Sequence, residues 1–125
     1  MSTRQITIAI DAMGGENSPL KTLKGSEIFS VNNKQVKLLF FGKSQQIKDL
    51  IKINKLNIPN YDIVDCKENV SDEDKPNTIL RSRKDSSIYK GLSFVKDNPN
   101  TGFVSAGNTA ALMILSRLIL GMIPG

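Results

Sequence analysis

Three short segments concentrate the side chains and backbone freedom needed to hold an anion. Asp11-Ala12-Met13-Gly14-Gly15 follows a brief β-branched run, Lys84-Asp85-Ser86-Ser87 precedes an amphipathic stretch, and Ser105-Ala106-Gly107-Asn108-Thr109 joins a short apolar run to a long one. Gly14 and Gly15 permit positive φ and close approach of backbone N–H groups to a ligand. Ser105, Asn108 and Thr109 add short side chains able to bond phosphate oxygens. Lys84 and Ser86 supply a third donor group, a cation and a hydroxyl, at another helix start. Taken singly, each segment has an ordinary reading: a glycine turn, a helix cap, an N-cap with a solvated ion pair. Their order and combination point to phosphate. Neither a Walker loop nor a Gly-x-Gly-x-x-Gly string is present, so the common nucleotide fingerprints have no support.

The residue inventory narrows the chemistry further. Histidine is absent from the 125 residues, which removes Ser-His and Cys-His nucleophile pairs, imidazole acid-base catalysis and His-ligated metal sites. No metal and no cofactor is expected. Cys66, the single cysteine, follows Ile63 and Val64 at the end of an expected strand and reads as a small buried hydrophobe. One cysteine allows no intrachain disulfide, which fits a reducing compartment or a disulfide-free exported protein, with the cytoplasm as the default. Lys and Arg number 17 against 12 acidic residues, a net charge of +5 that favours anionic partners. The lysines are scattered, with no block of five like charges, so they read as a solvated surface and no nucleic-acid partner is expected.

The elements that must position these loops alternate along the chain. Ile6 to Ile10 is a continuously apolar strand pattern closed by the glycine turn, and it is too short for a signal-peptide core of ~7–15 residues. After Pro19, the spacing of Leu20, Leu23, Ile28 and Phe29 predicts a helix to about Val31. Val36 to Phe41 predicts a second strand, with Ser44 as the N-cap of a helix carrying Ile47, Leu50, Ile51 and Leu56. Tyr61 to Cys66 makes a third strand, Glu68 to Pro76 an exposed loop, and Asn77 to about Arg83 a short helix. Ile88, Leu92 and Val95 mark a helix closing near Asp97, and Thr101 to Ser105 a last strand. Ala110 to Ile123, interrupted by Arg117, is too short for a membrane span and reads as a buried core helix.

Strands alternating with helices imply βαβ crossovers and an α/β fold: a mostly parallel sheet with helices on both faces. In such sheets ligands settle outside the carboxyl ends of the strands, at helix N-termini, which is where the three segments fall. The final apolar helix needs packing partners, and Pro124-Gly125 follow it with no closing element. Residues 1–125 are therefore expected to be one incomplete N-terminal portion of a larger α/β/α fold.

Together, Ile8-Ala9-Ile10-Asp11-Ala12-Met13-Gly14-Gly15-Glu16-Asn17-Ser18-Pro19, Arg83-Lys84-Asp85-Ser86-Ser87 and Val104-Ser105-Ala106-Gly107-Asn108-Thr109 resemble the N-terminal half of the bacterial phosphate acyltransferases. The resemblance spans essentially the whole chain. It departs from the family pattern at Glu16 (usually Asp), Ser18 (Ala), Ile88 (Met) and Ala110 (Gly), the last narrowing a turn beside the expected site. The resemblance implies an enzyme of phospholipid synthesis that makes acyl phosphate from fatty acyl-acyl carrier protein and inorganic phosphate. It also implies a homodimer when complete, and peripheral association with the inner face of the membrane through a second half that this chain lacks. For that reaction Asn108, Lys84 and Ser86 are the expected catalytic residues, with Lys84 supplying positive charge and Ser86 a hydroxyl. Gly14, Gly15, Ser87, Ser105, Gly107 and Thr109 are expected to bind substrate, and Asp11 to order its loop rather than act as a base. Two other readings stay open: a non-catalytic remnant that binds phosphate or a partner chain, and an acetyl- or butyryltransferase-like enzyme using acyl-coenzyme A.

Overall fold

The structure is a computed structural model that describes residues 6–15, 17–67, 85–98 and 100–105. Four parallel strands form its sheet: β1 (Thr7–Asp11), β2 (Lys37–Gly42), β3 (Tyr61–Asp65) and β4 (Thr101–Val104), in the order β3-β2-β1-β4. Helices α1 (Leu20–Val31) and α2 (Ser44–Ile53) join β1 to β2 and β2 to β3, and α3 (Ser87–Asp97) precedes β4.

The pleat sorts the strand side chains into two cores. Ile10, Leu38 and Phe40 point to one face, where Leu23 of α1 and Ile47 of α2 pack on them. Ala9, Leu39, Phe41 and Phe103 point to the other, beneath Phe94 and Val95 of α3. Both faces of β2 are covered, which is why its sequence reads Leu-Leu-Phe-Phe without polar interruption. Chain direction explains which helix takes which face. From β1 the chain steps to β2 and β3 on one side, and β4 lies on the other, so right-handed crossovers place α1 and α2 opposite α3. Strand order reverses between β1 and β4, the place where parallel sheets open a crevice at their carboxyl ends.

The expected strands and helices up to β3 are present, with ends shifted by one or two residues. Two expectations about α2 are corrected, its N-cap and its reach to Leu56, and the buried face of α1 is a finding of the structure. Ile28 is 73% and Phe29 39% exposed, and α1 instead buries Leu23, Ser26 and Ser30. The helical spacing is right, but the buried stripe of α1 is the smaller one. Ser44 is the first residue of α2 rather than its N-cap, and the cap is non-local: Asp65, at the end of β3, accepts hydrogen bonds from Ser44 N and Oγ, both at 3.0 Å. Leu56 lies beyond the end of α2 but still packs against its core. The expected loop Glu68–Pro76 and the helices Asn77–Arg83 and Ala110–Ile123 lie outside the described residues. Among the described residues, no helix is long and apolar enough to cross a membrane.

On the second face, Gly91 of α3 lies against the ring of Phe103, so close that a β-carbon there would collide with it. Absence of a side chain at this position sets the distance between α3 and β4.

Candidate functional site

Asp11 ends β1 with its carboxylate turned toward the α3 face and 4% of its surface exposed. A buried carboxylate must find donors, and it finds four. Oδ1 accepts the N–H groups of Met13 and Gly14, each at 3.1 Å, which folds the glycine loop back over the strand end. The same oxygen accepts the hydroxyl of Ser87, the first residue of α3, in a short contact. Oδ2 accepts the Ser105 hydroxyl at 2.8 Å, just past β4. One carboxylate thus ties together the end of β1, the start of α3 and the end of β4, at the point where strand order reverses. Its negative charge also sits at the positive end of the α3 dipole.

The neighbouring residues hold this arrangement in place. Ser86 is wholly buried, and its oxygen accepts the Tyr89 N–H at 3.2 Å, making it the N-cap of α3. Its side chain is therefore engaged with the helix and not with Asp11. Asp85, read from sequence as half of a solvated ion pair, accepts the Lys67 N–H at 3.0 Å and pairs with Lys90, whose ammonium also donates to the Asp65 carbonyl at 3.0 Å. The end of β3 is thereby bound to the start of α3. The hydrogen bond from Lys90 holds the Asp85 carboxyl below its ordinary value of 3.8, and the same contact raises the Lys90 ammonium. Asp65 is likewise lowered, chiefly by the Ser44 N–H. Cys66 is completely buried beside this junction, and desolvation pushes its thiol up to about 12, far from a nucleophile's range.

In the glycine loop, Gly15 adopts φ 90° and Asn17 φ 60°, so the left-handed positions are these two and not Gly14. Gly14 is buried and serves through its N–H, whereas Gly15 is exposed. Gly15, Ser18 and Lys21 border a groove of about 560 Å³ floored by Ile8, Ile10 and Val104. That groove is apolar and lies on the α1 face, away from the hydroxyls around Asp11, so it is not where the anion-binding groups converge.

Of the residues singled out from sequence, the structure brings together Asp11, Gly14, Ser87 and Ser105 through direct bonds. Ser86 lies beside them, capped into α3, and Gly15 turns toward the opposite face. Lys84, Gly107, Asn108 and Thr109 lie outside the described residues. The four donors on Asp11 were foreshadowed only in part. An aspartate at a strand end followed two and three residues later by the amides it binds is a recognisable local turn, but the reach to Ser87 and Ser105 is tertiary.

Comparison with known proteins identifies relatives by sequence. A family model described as "Fatty acid synthesis protein" matches residues 6–125. A phosphate acyltransferase of Caldicellulosiruptor saccharolyticus is 39% identical over 118 residues, covering 94% of this chain and 35% of that protein. One from Wolbachia pipientis subsp. Culex pipiens is 41% identical over 123 residues, 95% of this chain and 36% of its own length. One from Lactobacillus acidophilus is 38% identical over 121 residues, 95% of this chain and 35% of its own. The chain spans about a third of the length of these relatives. With a family match across nearly all of its residues and the loops of that match drawn onto one buried carboxylate, the chain belongs to the fatty acid synthesis protein family, the family of the phosphate acyltransferases.

Proposed function

We propose that this chain carries the phosphate-binding loops of an enzyme that forms acyl phosphate from fatty acyl-acyl carrier protein and inorganic phosphate, in phospholipid synthesis. The observation that carries the reading is the convergence of Gly14, Ser87 and Ser105 on Asp11 at the switch point of a parallel sheet. In this reaction a phosphate oxygen attacks the thioester carbonyl and a C–O bond forms. The carbonyl oxygen takes up negative charge, the C–S bond breaks, and the carrier thiolate leaves and takes a proton. Since the nucleophile is the substrate itself, the protein's task is to gather phosphate and carbonyl, exclude water and direct donors at the oxyanion, each worth ~2.7–4 kcal/mol.

The proposed roles follow from chain position. Asn108, with Gly107 and Thr109, continues the segment that Ser105 anchors, and directs donors to phosphate and oxyanion. Lys84 immediately precedes Asp85, which is fixed to Lys90, and its proposed role is to supply positive charge to the substrate. Ser86, Ser87, Gly14 and Gly15 complete the loops, and Asp11 orders them. The net charge of +5 suits recruitment of an acidic carrier protein. The complete enzyme is proposed to be a cytoplasmic homodimer that associates peripherally with the membrane. In a protein extended to the full length of its relatives, Asn108→Ala lowers acyl phosphate formation by about tenfold or more. An unchanged rate in a folded variant removes Asn108 from the site.

A second reading is that this chain binds phosphate or a partner chain without turnover. An activity assay of this chain beside the extended one separates the two. Assaying the extended protein with acyl-acyl carrier protein and with acyl-coenzyme A decides the donor.

A further inference from the structure

The two faces of the sheet are not equally covered. Paired residues of a parallel ladder point to the same face, and β4 pairs with β1 as Ile8↔Gly102 and Ile10↔Val104. Gly102 and Val104 therefore lie on the α1 face, and Phe103 on the α3 face. Val104 is 54% exposed, and a β-carbon added at Gly102 would meet nothing within 4 Å. Beside them runs the groove of about 560 Å³, walled by Thr22, Gly25 and Phe29 of α1 and floored by Ile8, Ile10 and Val104. Thr22, Gly25 and Phe29 form one stripe of α1, so the groove follows the helix axis. A β-carbon at Gly25 would also meet open space.

This groove has the width of a missing neighbour. A helix about 10 Å across covers about two strands set about 4.8 Å apart. Among the described residues, the core under α1 and α2 holds side chains of β1, β2 and β3 but none of β4. One helix-wide slot is left over β1 and β4. Chain that leaves β4 for a strand further from β1 crosses on the α3 face, by right-handedness, and does not enter this slot. Its occupant must return from elsewhere, and this chain covers only 35% of the Caldicellulosiruptor saccharolyticus relative.

We propose that the groove over β1 and β4 seats an amphipathic helix from the roughly two-thirds of the relatives' length that this chain does not span, packed alongside α1. The apolar face of that helix meets Ile8, Ile10 and Val104, and Gly25 lets its backbone come close.

The test reads the accessibility of single cysteines. Cys66 is wholly buried with its thiol pushed up to about 12, so it contributes little background. Val104→Cys and, independently, Gly102→Cys are made in this chain and in the chain extended to the full length of its relatives. Ile28→Cys is the control, because Ile28 is 73% exposed and lies outside the groove. Rates with a thiol reagent are measured at mildly alkaline pH against the same protein without the substitution, and circular dichroism confirms each fold. Gly102→Cys serves alone if Val104→Cys does not fold. In this chain the introduced cysteines all react freely; in the extended protein those on β4 are slowed by at least about tenfold and Ile28→Cys is not. Equal rates in the two proteins overturn the proposal, and equal slowing of Ile28→Cys overturns its assignment to this groove. Protection already present in this chain overturns it too, pointing to the chain's own residues, or to a second copy if it grows with concentration. Protection of this chain by added fatty acid gives the groove to a lipid instead. None of these results depends on phosphate binding at Asp11.

Discussion

Replacing Asp11 by alanine removes the acceptor of four hydrogen bonds at once, and the structure sets the scale of the loss. The N–H groups of Met13 and Gly14 lose their partner, and Gly14 is buried where no water replaces it. Each stranded buried donor costs about 1–3 kcal/mol. The hydroxyls of Ser87 and Ser105 can rotate toward other acceptors, so each loses roughly the net value of one bond, about 0.5–1.5 kcal/mol. Water reaching half-buried Met13 trims the sum, and the expected destabilisation is about 3 kcal/mol. Asp11→Asn keeps an oxygen for the backbone N–H groups and mismatches mainly one serine, so about half that loss is expected. Tryptophan is absent, so urea unfolding is best followed by far-ultraviolet circular dichroism. With a slope of about 1–1.5 kcal/mol per molar for a small domain, the alanine midpoint falls by about 2 M or more. An alanine variant within about 0.5 kcal/mol of the original chain would refute the role given to this carboxylate.

Three further outcomes follow from particular contacts. Gly91→Ala gains up to about 1 kcal/mol of helix propensity but loses about 1–3 kcal/mol to overpacking against Phe103, for a net loss; adding Phe103→Leu recovers stability, and a stabilised single variant would show the ring to be free to move. Cys66, fully buried with its thiol pushed up to about 12, reacts with a thiol reagent at mildly alkaline pH only through the unfolded fraction; a rate matching free cysteine in the folded chain contradicts that packing. Asp65 and Asp85 both titrate lower in the folded chain than their ordinary value of 3.8, so the stability they give is complete above that value and is lost as pH falls below it. Asp65 is exposed and Asp85 only half-buried, so the effect is small. Asp85→Asn flattens the acid limb of stability between about pH 4 and pH 2, and an unaltered limb would remove the Lys90 pair as its cause.

Much of the fold was legible because its strands are short-range statements. β2 reads Leu-Leu-Phe-Phe because both of its faces are buried, β1 carries Ile-Ala-Ile at its centre, and Gly15 stands where the chain takes φ 90°. What the sequence hid depended on partners far along the chain. The spacing of Ile28 and Phe29 announces a helix but does not say which stripe is buried, and the stripe that is buried is Leu23, Ser26 and Ser30. Nothing local assigns Asp65 as the cap of α2, because the two meet only after β3 pairs with β2. The candidate site divides in the same way. The turn from Asp11 to Gly14 can be read within four residues, whereas the bonds to Ser87 and Ser105 span 76 and 94 positions and exist only because the strand order brings β4 beside β1.

The most direct measurement is a phosphate titration of the isotopically labelled chain, followed amide by amide by nuclear magnetic resonance. Convergence on Asp11 requires the shifts to cluster on Gly14, Ser87, Ser105 and their chain neighbours, three segments far apart in sequence responding with one affinity. Shifts confined to scattered lysines, or segments that respond with different affinities, would contradict a single site.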